Sequence, residues 1–186
     1  AALGLPEDHT VVGTFIRMHR QKRPLDIIRL ARHLRAEPVH FLLVGGGPLD
    51  KEVDRELQRD PDINFLRLPM RPDAREPYDA LDLCLLTSSF EGLPVFLLDG
   101  LARGIPCVAP AAGDIPLLFE EGGGILVDQP GDVESLAAAV RILLDERRRA
   151  EEGERGRQRV RSHFNLENYV TRYKSAIFPD DHPVEG

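Results

Sequence analysis

Six short, almost purely apolar runs recur along the chain, and longer stretches with helically spaced apolar residues separate them. The runs lie at residues 11–16, 39–44, 63–66, 83–86, 106–109 and 124–127. Because they are nearly continuous rather than alternating, they are typical of parallel strands that are covered on both faces. The clearest helical stripe comprises Val133, Leu136, Val140 and Leu143, and Asp132 is expected to cap that helix.

Strands that alternate with helices of this length predict right-handed strand–helix–strand units. We therefore expect an α/β fold, in which a doubly wound, parallel, six-stranded sheet forms the centre of a three-layer α/β/α, Rossmann-like domain over residues 1–178. The segment from Asp145 to His163 is dense in Arg and Glu, which predicts a solvated helix. Asn165 is expected to cap a last helix, and residues 179–186 are predicted to form a disordered tail.

Length, charge and cysteine content restrict the class of protein. The 186 residues suit one sizeable core, and the net charge of −7 argues against a nucleic-acid partner. Cys84 and Cys107 lie in apolar runs, which predicts two buried free thiols and favours a reducing compartment. No apolar stretch approaches the roughly 18 residues that a membrane span needs. We expect a cytoplasmic location, including the inner face of a membrane.

The loops that follow the first two strands carry candidate ligand-binding residues, because ligands of doubly wound sheets bind beyond the C-terminal ends of the strands. Arg17 and Lys22, after the first strand, could clamp a diphosphate. A solvated basic turn is the alternative. After the second strand, the glycine run that includes Gly46 and Gly47 could let a ligand approach the backbone, or could simply form a turn.

The loop after the fourth strand combines a carboxylate with a helix start. Pro94 suits the first turn of a helix, so Gly92 and Leu93 would present backbone N–H groups where an anion is stabilised. Glu91 lies at the same end and either caps the helix or faces a ligand. Asp99 follows about one and a half turns into the helix.

Together, these loops resemble the C-terminal domain of the GT-B glycosyltransferases of glycosyltransferase family 4, the glycosyl transferases group 1 domain. The resemblance runs from about Val11 to Phe178. Its most specific part is the spacing of Glu91 and Asp99, which are separated by seven residues, as the family's two glutamates are. The resemblance implies that Glu91 is the catalytic-site acid near the donor sugar and that Asp99 hydrogen-bonds the ribose hydroxyls.

The resemblance also implies the remaining donor contacts. Arg17 and Lys22 have the spacing of the family's pair that binds the donor diphosphate. The turn with Gly46 and Gly47 matches the family's Gly-x-Gly-Pro turn. The loop that packs on the nucleobase is matched around Arg67, Leu68 and Pro69. The backbone segment that meets the diphosphate and sugar is matched by Gly92, Leu93, Pro94 and Val95.

A chain of this kind is expected to be the donor-binding half of a retaining hexosyltransferase. The implied partner is a nucleoside-diphosphate sugar, which is the donor substrate, with no metal and no separate cofactor. The acceptor site is expected mainly on an N-terminal Rossmann-like domain that this chain is too short to include. We therefore expect the isolated domain to transfer no sugar, and any membrane contact to involve only the missing half.

Three departures from the family pattern keep alternatives open. Asp99 stands where the family has Glu, Leu117 stands near another family Glu, and Pro94 lacks an N–H donor. One alternative is a non-catalytic nucleotide-binding or assembly domain of the same fold. A second is a GT-B epimerase of UDP-N-acetylglucosamine, in which the seven-residue acid spacing is not expected. A third is a flavodoxin-like receiver, which needs acids after the first strand, where this chain has Arg17 and Arg20.

Overall fold

The structure is a computed structural model that describes residues 3–70, 75–165 and five positions between 168 and 177. The predicted tail over 179–186 and most of the predicted last helix lie outside the described residues. At the start of that helix, Asn165 Oδ1 accepts a hydrogen bond of 2.8 Å from the backbone N–H of Asn168. This is the contact expected of a capping residue.

Parallel strands form one sheet at the centre of the domain. They are β1 (Thr10–Phe15), β2 (Val39–Val44), β3 (Phe65–Leu68), β4 (Leu83–Leu85), β5 (Cys107–Pro110) and β6 (Gly124–Val127). Their order in the sheet is β3-β2-β1-β4-β5-β6. The chain therefore winds outward in both directions from β1 and β4, which confirms the predicted doubly wound six-stranded sheet.

Helices cover both faces of this sheet in the part of the chain that the structure describes. They are α1 (Pro24–His33), α2 (Asp50–Gln58), α3 (Arg75–Asp79), α4 (Val95–Ala102), α5 (Ile115–Leu118), α6 (Val133–Ile142) and α7 (Glu146–His163), with a 3-10 turn at Arg20–Lys22. Helix α1 packs against α2 and α6, whereas α7 packs against α4 and α5. The helices therefore form two layers, as predicted.

Local sequence explains where two of these helices begin. Pro24 is the first residue of α1, a position at which a missing N–H removes no helical hydrogen bond. Ile27 and Ile28 of α1 are buried against the sheet, and each fully buried side chain of this kind contributes about 1.5–3 kcal/mol. Asp132 Oδ1 accepts a 2.9 Å hydrogen bond from the N–H of Ser135, so the predicted cap of α6 is confirmed.

The third strand lies two residues later than predicted. Pairing with β2 sets its register, with Phe65 opposite Phe41 and Leu68 opposite Val44. The rings of Phe41 and Phe65 are stacked with their centroids 6.1 Å apart. Arg67 and Leu68 are therefore strand residues, and the prediction that they belong to the following loop is wrong.

Helix α7 is solvated on one face only, which corrects the prediction of a solvated helix. Gly153 and Gly156 are buried and approach neighbouring backbone closely. A Cβ added at Gly153 would lie 2.0 Å from the carbonyl oxygen of Gly104. Arg159 is also buried, and its guanidinium forms ion pairs with Glu120 and Glu121. The glycines allow a highly charged helix to pack directly on the loops below it.

Cys84 and Cys107 face one another across β4 and β5 and are both fully buried free thiols, as predicted. Burial raises the pKa of the Cys107 thiol well above its usual range. This thiol therefore stays protonated and behaves as a small apolar side chain. Within the described residues, none of the helices combines the length and apolar character that a membrane crossing needs.

Candidate functional site

The strand order reverses between β1 and β4, and the loops that follow these two strands diverge and leave a crevice. A cavity of about 240 Å3 lies in this crevice. Among the predicted site residues, those that line it are Arg17, Lys22, Glu91, Leu93, Pro94 and Val95. Tertiary folding therefore brings together the basic loop after β1 and the acidic loop after β4.

Lys22 and Glu91 form a two-pronged ion pair inside this crevice. The Lys22 ammonium lies 2.6 Å from Glu91 Oε1 and 2.7 Å from Oε2. The Glu91 side chain is 9% exposed, and the Lys22 side chain is 26% exposed. The alternative that Glu91 caps α4 is wrong, because Pro94 precedes that helix and no side chain caps it. The carboxylate is held by a cation instead.

Arg17 is the other cation of the crevice, and it is uncommitted. Its side chain is exposed and lines the cavity. Within residues 3–70 and 75–165, its guanidinium has no ion pair or hydrogen bond. The planar fork of five N–H donors is therefore free to bind an anion in two-pronged geometry.

Backbone donors in the β4–α4 loop and at the start of α4 add to the positive charge of Arg17 and Lys22 at the crevice. In the described part of the chain, the N–H groups of Gly92, Leu93, Val95 and Phe96 have no acceptor. Pro94 directly precedes α4. The prediction that it lies in the first turn of this helix is therefore wrong. The unbonded N–H groups and the positive end of the helix dipole stabilise a negative charge placed before α4.

The glycine turn after β2 is explained mainly by chain packing. A Cβ on Gly45 would lie 1.9 Å from Ile16 O, and one on Gly47 would lie 2.8 Å from Met18 O. The N–H of Gly47 is also used, since it donates to Asp50 Oδ2 at 3.0 Å. Gly46 differs, because a Cβ there would meet only the Asp50 carboxylate at 3.6 Å. Of the two predicted glycines, Gly46 alone leaves room for a ligand.

Arg67 does not reach the cavity. Its guanidinium forms ion pairs with Asp50 and Asp54 of α2, and its side chain is 18% exposed. Leu68 contributes its carbonyl oxygen to the N–H of Gly45 at 3.0 Å. The guanidinium therefore ties β3 to α2.

Asp99 lies on the exposed side of α4 and outside the cavity lining. The Tyr78 hydroxyl is 3.5 Å from Asp99 Oδ2 and 3.2 Å from the carbonyl oxygen of Phe96. Burial, together with the negative charge of Asp99, raises the pKa of Tyr78 far above its usual range. Tyr78 is therefore a permanent donor at this position. Its ring packs against Phe15 and Phe96, with centroids 4.6 and 5.7 Å away.

Sequence reasoning did not single out the apolar wall of the cavity, which consists of Phe15, Ile16, Leu86 and Phe96. Three of these residues lie at the C-terminal ends of β1 and β4, so the predicted ends of the first and fourth apolar runs are the signal that could have identified them. The loop after β5 packs against the loop after β4. A Cβ on Gly113 would lie 1.8 Å from the carbonyl oxygen of Glu91, so this loop supports the Glu91 backbone.

The parallel sheet and its central crevice define a Rossmann-like α/β domain. Residues 9–146 match the family described as glycosyl transferases group 1, and the chain belongs to that family. It is 28% identical over 181 residues to N-acetyl-alpha-D-glucosaminyl L-malate synthase of Bacillus anthracis, covering 94% of this chain and 47% of that protein. The chain spans 29% to 47% of the length of three curated relatives that it matches.

Solved structures share the fold. The structure of Anabaena Alr3699/HepE in complex with UDP and glucose superposes with a TM-score of 0.81 at 21% identity, covering 91% of this chain and 48% of that one. The C-terminal domain of the glycosyl transferase group 1 protein LpcC from Francisella tularensis gives a TM-score of 0.75 at 20% identity. That match covers 87% of this chain and 89% of the other, so the two share one fold over most of their lengths.

Proposed function

We propose that this chain is the donor-binding domain of a retaining hexosyltransferase and that it binds a nucleoside-diphosphate sugar in the crevice between β1 and β4. The observation that carries the proposal is the convergence of donors on one cavity. Among the described residues, an unpaired Arg17, the Lys22 ammonium and the unbonded N–H groups around the start of α4 lie at a space that one buried carboxylate, Glu91, also lines. Such an arrangement suits a dianionic group joined to a polar ring.

The diphosphate occupies the positive end of the crevice. Arg17 binds one phosphate through its guanidinium fork. Lys22 has three N–H donors, of which two are directed at Glu91, so it can donate to a phosphate without releasing the carboxylate. Both cations and the N–H groups at the start of α4 stabilise the negative charge that develops on the departing diphosphate.

Glu91 acts on the sugar. Its carboxylate positions the ring or stabilises the positive charge that develops on it as the diphosphate leaves, and the ion pair with Lys22 holds the carboxylate in place. We assign no covalent bond to Glu91. The retained configuration at the anomeric carbon is part of the proposal, and family membership supports it.

The nucleoside extends away from Glu91. We assign the ribose to Asp99, whose side chain is shorter than glutamate by about 1.5 Å. A water molecule that bridges Asp99 and the ribose hydroxyls compensates for this difference. The base packs on the backbone after Leu68, because the Arg67 guanidinium is held by α2.

The acceptor belongs to the rest of the full-length protein. We propose that an N-terminal domain of the same protein supplies the acceptor site and that the domain described here binds the donor without transferring it. Turnover of any nucleotide sugar onto an acceptor by this domain alone would contradict that division of labour. The buried thiols support a cytoplasmic location, and any contact with a membrane surface is assigned to the other half.

A non-catalytic nucleotide-binding or assembly domain of the same fold is the second candidate, because Asp99 and Leu117 depart from the family's acids. Membership of the glycosyl transferases group 1 family disfavours an epimerase and a receiver. The catalytic and the non-catalytic candidate predict different results for a substitution in the full-length protein. A catalytic domain loses transfer when Glu91 is replaced by Gln, whereas an assembly domain has no transfer to lose.

Calorimetric titration with UDP, GDP and ADP tests donor binding directly. Arg17→Ala and Lys22→Ala should each weaken the preferred nucleotide by about 1.5–3 kcal/mol, the value of a charge-assisted hydrogen bond, which is roughly 10- to 150-fold in affinity. Arg35→Ala is the matched control, since Arg35 is exposed at the far end of α1. Binding of no nucleotide at millimolar concentration, or equal effects of all three substitutions, would refute the diphosphate site.

A further inference from the structure

We propose that Thr87 is a positioning residue, which fixes the backbone at Lys22 so that the Lys22 ammonium stays directed at Glu91 and at the anion beside it. Thr87 lies two residues after β4 and is 1% exposed. It is not among the residues that line the cavity. Its effect on a ligand therefore passes through Lys22, and only the part of the inference that concerns nucleotide affinity rests on the proposed function.

The Thr87 hydroxyl is shared between two consecutive carbonyl groups of the β1–α1 loop. Its Oγ1 is 2.8 Å from the carbonyl oxygen of Lys22 and 3.1 Å from that of Arg23. Arg23 has a φ of 50°, a left-handed conformation that a residue other than glycine adopts only when its surroundings impose it. The hydroxyl thus holds the chain where the 3-10 turn ends and α1 begins.

Other contacts join the same two loops, but they hold the preceding residue. Ser89 donates to the carbonyl oxygen of Gln21 through its N–H at 2.8 Å and its hydroxyl at 3.1 Å. The Gln21 side-chain amide donates to the carbonyl oxygen of Phe90 at 2.8 Å. Of the bonds between the two loops in the described residues, the shorter Thr87 bond is the one that acts on the carbonyl group of Lys22 itself.

Fixing this point matters because lysine has a long and flexible side chain. Four methylene groups separate the Lys22 ammonium from the backbone, so a small rotation of the backbone displaces the charge by a large distance. Thr87 and Glu91 lie four residues apart on one loop, and Lys22 lies on the other. The loop after β4 therefore holds Lys22 at two points. The Thr87 hydroxyl holds its carbonyl oxygen, and Glu91 holds its ammonium.

Lysine reactivity tests this role without any ligand. The chain has three lysines, Lys22, Lys51 and Lys174, and Lys51 is exposed on α2 and serves as an internal reference. An amine-acylating reagent in limiting amount, followed by peptide mass spectrometry, should modify Lys22 more slowly than Lys51. In Thr87→Val, the Lys22 rate should rise at least threefold relative to Lys51. Thr87→Ser, which keeps the hydroxyl, should restore the slow rate.

Thr14→Val is the matched control. Thr14 is also 1% exposed, and its hydroxyl donates to the carbonyl oxygen of Leu85 at 2.8 Å, between β1 and β4. The substitution Thr14→Val therefore removes the same kind of buried hydrogen bond at a place outside the two loops. Unchanged Lys22 reactivity in Thr87→Val, or an equal rise in Thr14→Val, would overturn the proposal. If circular dichroism shows that Thr87→Val does not fold, Thr87→Cys is judged by the same criterion, because a thiol is a much weaker donor.

Nucleotide affinity gives the second readout. With UDP as the probe, or whichever of GDP and ADP binds more tightly, Thr87→Val should lower affinity about tenfold in the wild-type background and less than twofold in a Lys22→Ala background. An equal loss in both backgrounds would mean that Thr87 does not act through Lys22. If the wild-type chain binds none of the three nucleotides, the proposed function fails, whereas the reactivity of Lys22 still decides the role of Thr87.

Discussion

The ammonium of Lys22 donates to both carboxylate oxygens of Glu91 across 69 residues of chain, at 2.6 and 2.7 Å. This pair joins the loops that follow the two central strands and lies at the reversal of strand order. The two cations that line the crevice therefore differ. Within residues 3–70 and 75–165, Lys22 is paired with a carboxylate whereas Arg17 is unpaired, so substitutions at the two positions should have different consequences.

Replacing Lys22 should destabilise the fold. In Lys22→Met, the Glu91 carboxylate loses its cation while it remains buried, at a cost of about 2–4 kcal/mol. We place the cost below that of a wholly buried pair, because a quarter of the Lys22 side chain is exposed. Urea unfolding of the two proteins measures it. Adding Glu91→Gln should recover most of the loss, and a double variant no more stable than Lys22→Met would contradict this account.

Replacing Arg17 should leave stability unchanged and still weaken nucleotide binding. Its exposed guanidinium has no partner within residues 3–70 and 75–165, so Arg17→Ala should change the free energy of unfolding by less than about 0.5 kcal/mol. The same unfolding experiment and the nucleotide titration measure the two effects. A stability loss as large as that of Lys22→Met would show that Arg17 has a structural partner.

Restoring glutamate at position 99 tests the ribose assignment. Asp99→Glu lengthens the side chain by about 1.5 Å, so it should maintain or increase nucleotide affinity if the carboxylate faces the ribose. Tyr78→Phe is the matching control, because it removes the hydroxyl that lies 3.5 Å from Asp99 without changing the carboxylate. A collapse of affinity in Asp99→Glu alone would show that the aspartate is fitted to a different contact.

Gly113 should be intolerant of any side chain. Its φ is 60°, and an added Cβ would lie 1.8 Å from the carbonyl oxygen of Glu91, so Gly113→Ala forces the two loops apart. We expect a loss of about 2 kcal/mol or more, from backbone strain and from the clash. Gly92→Ala is the control, since a Cβ there meets nothing within 4 Å. Equal unfolding midpoints for the two variants would refute the close approach.

Much of the fold could be predicted because its signals are local. Each strand overlaps a short apolar run in the sequence. Pro24 and Asp132 lie at the starts of α1 and α6, next to the backbone groups that they affect. The register of β3 could not be predicted in this way. It depends on the pairing of Phe65 with Phe41, two residues that lie on either side of helix α2 in the sequence.

The sequence by itself determined the alternation of strands and helices, the family spacing of Glu91 and Asp99, and the presence of cations after the first strand. Only the tertiary structure decided how those charges are used. It pairs Lys22 with Glu91, leaves Arg17 without a partner among the described residues, ties Arg67 to α2 and packs the glycine face of α7 on neighbouring loops. Charges at these positions have several possible partners of equal chemistry, and the fold decides which side-chain atoms come within the hydrogen-bonding distance of about 3 Å.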